Sequence, residues 1–119
     1  MLHPTVFGMV TTRKSEAYTH LAVRSFFQTT DLSAQDRFIL IDNDNCWDRG
    51  RACYDVISPW RPYSFAENAN EIIAIADSMR ADVVFLNNDI YFTNGWSRGL
   101  EQQDGIVLPS CNQTHELEY

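Results

Sequence analysis

No apolar run in the 119 residues approaches the length of a membrane span. The amino terminus lacks a basic stretch followed by a long apolar one and a small-residue cleavage site, so the expected location is the cytoplasm. Positive charge is scarce: 9 Lys and Arg stand against 16 Asp and Glu, for a formal net charge of -7 at pH 7. A nucleic-acid backbone is therefore not an expected partner. Small ligands remain, among them an anion held through a divalent cation, as does an acidic surface that only aids solubility. Cys46, Cys53 and Cys111 are too few and too scattered for a disulfide framework. With His3, His20 and His115 they give no zinc spacing. Neither G-x-G-x-x-G nor G-x-x-x-x-G-K-[S/T] occurs, so neither glycine-rich phosphate loop is available. There is no internal repeat and no low-complexity tract.

What is present is ordinary globular composition, 45% apolar and 21% charged, in a length that suits one domain over residues 1–119. Val6 to Val10 reads as a strand. Thr11-Thr12-Arg13-Lys14 interrupts it, and Ser15 with Glu16 suits a helix start, Ser as a cap and Glu in the first turn. The helix is expected over 16–29, with Tyr18, Leu21, Ala22, Ser25 and Phe26 as its buried stripe. Arg37 to Ile41 is a second strand, with Phe38 to Ile41 continuously apolar as in a sheet covered on both faces. A short third strand falls near Tyr54 to Ile57. Ser64 with Glu67 forms a capping box that opens a second helix, with Ala69, Ile72, Ile73, Ala76 and Met79 buried and Arg80 at its end. Val83 to Leu86 is a fourth strand, Asn94-Gly95 a turn, and Gly105 to Leu108 a fifth strand ended by Pro109. Strand and helix alternate, so the fold class is α/β: a Rossmann-like, mostly parallel sheet flanked by helices. The length suggests either a minimal domain or the leading half of something longer.

Two polar clusters follow strands, Asp42-Asn43-Asp44 and Asn87-Asn88-Asp89. Open α/β sheets bind ligands at the carboxyl ends of their strands, and carboxylates that converge there favour a cation or a shared proton. Mg²⁺ or Mn²⁺ would bridge such groups to a diphosphate. The competing reading is that Asp and Asn merely form turns through side-chain to backbone bonds. Thr11, Thr12, Arg13 and Lys14, just before a helix N-terminus, are placed to meet a base, ribose or phosphate, or else form a solvated loop. Asn68 and Asn70 fall early in the second helix, where Asn suits a contact beyond the helix or a local cap. Trp60, Tyr63 and Phe65 are expected mainly to pack beneath the loop stiffened by Pro59 and Pro62, with stacking on a base or sugar as the alternative. His20 reads as surface or partial core, and Trp96 as an anchor after the Asn94-Gly95 turn.

Taken in order, these segments resemble the nucleotide-binding half of the family 2 inverting glycosyltransferases, which have the GT-A fold. Val10-Thr11-Thr12-Arg13 is similar to the family's opening loop, and Ile41-Asp42-Asn43-Asp44 to its strand and acidic turn. Ser64-Phe65-Ala66-Glu67-Asn68-Ala69-Asn70 resembles its Gly-Phe-Ala-x-x-x-Asn segment, with Arg80-Ala81-Asp82 closing the adjoining helix. Val84 to Asp89 is similar to its hydrophobic strand and DxD-type signature, and Ile106-Val107-Leu108-Pro109, with Ser110 and Asn112, to its next strand and loop. The resemblance spans roughly Thr5 to Gln113. It departs from the pattern at Ser64 and Ile72, where small residues or glycine are common, and at Asn87, which replaces the first Asp of the signature. It implies a glycosyltransferase donor domain that binds a UDP- or GDP-sugar with Mg²⁺ or Mn²⁺. Asp42 would touch the base and Asp89 the metal; Thr11, Thr12, Arg13, Asp44, Asn70 and Asn88 complete the nucleotide contacts. No residue is assigned as the catalytic base, which in the family comes later in the chain. The competing expectation is a non-catalytic α/β binding module that self-associates. A small phosphotransfer domain using Asp42 and Asp44 lacks its usual Lys and Ser/Thr partners.

Overall fold

The computed structural model describes residues 3–98 and 100. The expected fifth strand, with Ser110, Cys111, Asn112 and His115, lies outside the described residues. Four strands form one sheet: β1 (Thr5–Thr11), β2 (Arg37–Asp42), β3 (Asp55–Ile57) and β4 (Asp82–Leu86). They lie in the order β3-β2-β1-β4, and every neighbouring pair is parallel. Helix α1 (Glu16–Thr29) connects β1 to β2, and α2 (Phe65–Met79) connects β3 to β4. Between β2 and β3 runs a loop holding one short 3-10 turn, Arg49–Arg51. The result is a Rossmann-like α/β domain, as the alternation of elements predicts.

Side chains of a strand alternate between its faces, and the sequence uses both. Phe7, Met9, Phe38 and Leu40 pack with Ala22, Val23 and Phe26 of α1, and Trp47, Leu86 and Phe92 join this core. Val6, Ile39 and Ile41 pack with Ile72 and Ala76 of α2. Burial of a ring such as that of Phe26 contributes about 3 kcal/mol. Gly8 lets α2 approach: a Cβ there would stand 2.4 Å from Ile72 Cδ1.

Both helices are turned by about one residue from the expected stripes. On α1 the buried residues are Thr19, Ala22, Val23, Ser25 and Phe26, while Tyr18 and Leu21 are exposed. Thr19 takes an inner position because its hydroxyl pairs with that of Thr11 at 2.7 Å, which removes the penalty of burying it. On α2, Asn68, Ile72 and Ala76 are buried and Ile73 is exposed. Asn68 is held inside by the Asn43 amide at 3.3 Å.

The caps divide in the same way. Ser64 accepts from the Glu67 backbone N–H, and the Glu67 carboxylate accepts from that of Ser64, so the capping box forms as expected. Ser15 precedes α1, but its side chain caps no helical N–H. Its hydroxyl instead accepts from the Thr12 backbone and pairs with the Thr12 hydroxyl. Arg80 ends α2 in the left-handed region, φ 54°, with its N–H donating to the carbonyls of Ala76 and Asp77. Gly95, at φ 79°, forms the expected turn, and Trp96 anchors the chain just beyond it by donating from Nε1 to Thr30 Oγ1 at 2.7 Å. Among the described residues no helix is long and apolar enough to cross a membrane.

Candidate functional site

Parallel pairing brings the ends of β1, β2 and β4 to one edge. Thr11 lies opposite Asp42, and Met9 opposite Leu86. Continuing the β4 register brings Asn88 level with Thr11. The Asn88 amide nitrogen donates to Ser15 Oγ and Thr19 Oγ1, both at 2.9 Å. Thr19 in turn pairs with the buried hydroxyl of Thr11. A run of hydroxyls and one amide thus ties the β4 turn to the loop between β1 and α1.

Asp42, like Thr11 and Thr19 at this edge, is fully buried. One carboxylate oxygen accepts from the Cys46 backbone N–H at 3.1 Å and lies 3.6 Å from the Cys46 thiol. The other accepts from the Trp47 N–H at 2.9 Å and the Ser58 hydroxyl at 3.3 Å. Burial pushes its pKa up, but the Trp47 and Cys46 N–H groups, with the thiol and Ser58, outweigh burial and leave the carboxyl below the ordinary aspartate value. The charge holds the β2 turn closed and joins it to the end of β3. In the turn, Asn45 adopts φ 52°, a conformation that asparagine tolerates better than most residues. Burial, followed by the Asp42 charge, pushes the Cys46 thiol up, so it donates as a thiol.

Asp44 faces outward and crosses to the first loop. Its carboxylate accepts from the Arg13 backbone N–H at 2.8 Å, and its carbonyl accepts from the Arg13 guanidinium at 3.4 Å. Asn43 turns toward α2: its side-chain oxygen accepts from the Tyr63 N–H at 3.0 Å, and its amide donates to Asn68. The edge therefore carries Thr11, Thr12 and Asn88 in one hydroxyl network, Arg13 and Asp44 as a bonded pair, and Asp42 clamped within its own turn. Asn70 is outside it. It lines a shallow groove on α2 with Tyr63, Glu67, Glu71 and Ala74.

Asp89 and Asn87 are exposed in the β4 turn. Among the described residues no group of three or more His, Cys, Asp or Glu is arranged to hold a metal ion. Asp42 adds no open carboxylate, since protein donors take up both its oxygens. Asp89 is thus an exposed carboxylate of the β4 turn.

Trp60 and Phe65 do not pack beneath the proline loop. They are 90% and 89% exposed, and only Tyr63 is drawn inward against the α2 core. Two features of the edge were not singled out from the sequence. Trp47 is nearly buried, donates to the Tyr54 hydroxyl at 2.9 Å, and carries the His20 ring stacked at 4.2 Å. Ser58 bonds Asp42 across sixteen positions. The N–H that Trp47 gives Asp42 is its backbone one, which residue type does not announce. No protein-family model matches the chain, and no curated protein matches it.

Proposed function

We propose that this chain is the donor-binding domain of a glycosyltransferase of the GT-A type, holding a nucleoside diphosphate sugar at the carboxyl edge of its sheet. The observation that carries this reading is the convergence of the β1, β2 and β4 loops there, linked through Arg13–Asp44 and Asn88–Ser15/Thr19. Ligands of open parallel sheets occupy this edge. The N-terminal end of α1 opens on it, with Arg13 and Lys14 exposed alongside, a field that favours phosphate. The Arg13 N–H already receives an anionic oxygen, that of Asp44, which supports a loop suited to anions.

In this reading Thr12, Arg13 and the side-chain oxygen of Asn88, whose amide nitrogen is held by Ser15 and Thr19, contact the nucleotide, and Asp89 meets a divalent ion carried in on the diphosphate. Mg²⁺ or Mn²⁺ would neutralise charge on the departing diphosphate during inverting transfer to an acceptor hydroxyl. Asp42, Asp44 and Thr11 act by fixing the loops. Calorimetric titration of UDP and GDP, with and without Mn²⁺, tests the proposal. Metal-dependent heat that Arg13→Ala and Asp89→Ala each reduce by about tenfold or more supports it. No heat from either nucleotide in the presence of metal ends it.

A second reading, a self-associating α/β module, draws on the exposed Phe85, Ile90 and Tyr91 on and after β4. Sedimentation showing a dimer, with no nucleotide binding, would favour it.

A further inference from the structure

The polar groups of the carboxyl edge divide by whether the protein already holds them. One nucleobase is told from another by hydrogen bonds to its edge, and strong rejection needs a buried group that the wrong base leaves unpaired. Asp42, the residue expected to meet the base, has both oxygens taken, by the Cys46 and Trp47 N–H groups, the Cys46 thiol and the Ser58 hydroxyl. Asn43 is engaged at both ends of its amide, by the Tyr63 N–H and by Asn68. The Asp44 carboxylate accepts from the Arg13 N–H. The hydroxyls of Thr11 and Thr19 pair, as do those of Thr12 and Ser15, and the Asn88 nitrogen closes on Ser15 and Thr19. The backbone is closed in the same way. The Thr12 N–H donates to Ser15 Oγ, and those of Ser15, Asn43 and Asn45 donate to the carbonyls of Thr12, Thr11 and Asp42.

What stays open is of another kind. Arg13 and Lys14 are exposed beside the N-terminal end of α1, and Asp89 is exposed in the β4 turn. These charges match phosphate oxygens and the cation that travels with them. The side-chain oxygen of Asn88 is a single acceptor, and the ribose hydroxyls that it can meet are common to every nucleotide. Asn45 and Asn87 are exposed, so water replaces any bond that a mismatched base fails to make with their amides. We infer that this edge reads the diphosphate and is indifferent to the base, so that uridine, guanosine, adenosine and cytidine diphosphates bind alike. This rests on the donor reading and adds to it the class of nucleotide.

Calorimetry on the full chain with Mg²⁺ tests it, with UDP, GDP, ADP and CDP in turn, then methyl diphosphate and uridine. The four nucleotides are expected to agree in Kd within about threefold, with methyl diphosphate still binding and uridine giving no heat. Asn45→Ala and Asn87→Ala, both surface changes, are expected to leave the ratio of UDP to GDP affinity unchanged. A preference of about tenfold or more for one base overturns the inference and leaves the donor reading standing. So does either variant changing that ratio, methyl diphosphate failing to bind, or uridine binding on its own. No heat from any of the four nucleotides with metal removes both.

Discussion

Asp42-Asn43-Asp44 and Asn87-Asn88-Asp89 are near copies in sequence and follow parallel strands at the same end of one sheet. Their structures differ in where the donors come from. After β2, the chain curls back so that the N–H groups of Cys46 and Trp47 close on Asp42, and its carboxylate becomes part of the fold. After β4, only Asn88 turns inward, to two hydroxyls of the neighbouring loop and helix, while Asn87 and Asp89 stay on the surface. An acidic strand end is thus open to a ligand only when the turn beyond it leaves it without donors.

The largest expected separation between the two turns is in stability. Asp42→Ala strands two buried N–H groups and a hydroxyl, and is expected to cost about 3–5 kcal/mol in urea unfolding. Asp89→Ala, a surface change, is expected to stay within about 0.5 kcal/mol of the parent. Equal costs would erase the distinction. Asn88→Ala comes next, at about 1–2 kcal/mol, because it removes one amide that serves two hydroxyls. Asn87→Ala, its exposed neighbour, is the control and is expected to be silent in the same assay.

Acid unfolding gives a smaller contrast. The folded Asp42 pKa lies below its unfolded value, so its ionisation adds stability that is fully present above the ordinary aspartate pKa. That stability is lost as pH falls through the folded pKa. Asp42→Asn is expected to flatten this acid limb, and Asp89→Asn to leave it unchanged. Glu67, lowered to about 2 by the Arg61 side chain and the Ser64 N–H, contributes to the same limb, so the measurement is the difference between variants.

Much of the fold was legible. The bounds of α1 and α2, the capping box and the four described strands follow from apolar periodicity and cap chemistry. The buried faces were less so. Hydropathy passes over Thr19 and Asn68, which are inside because Thr11 and Asn43 meet them, and favours Tyr18, Leu21 and Ile73, which are not. Nor does residue type tell a clamped aspartate from an open one, since the difference rests on the path of the next few backbone residues. The two exposed aromatics were obscured by the same limit: an aromatic near prolines reads as packing, and only the structure shows that Trp60 and Phe65 stay outside the core.

The donor-edge account is tested most directly by amide NMR shifts on adding UDP with Mg²⁺. It predicts perturbation concentrated at Thr12 to Ser15 and Asn87 to Asp89, with the Cys46 and Trp47 amides changing little because Asp42 keeps them. Saturating nucleotide that leaves both loops unshifted, or that moves only residues at the opposite end of the sheet, would contradict it.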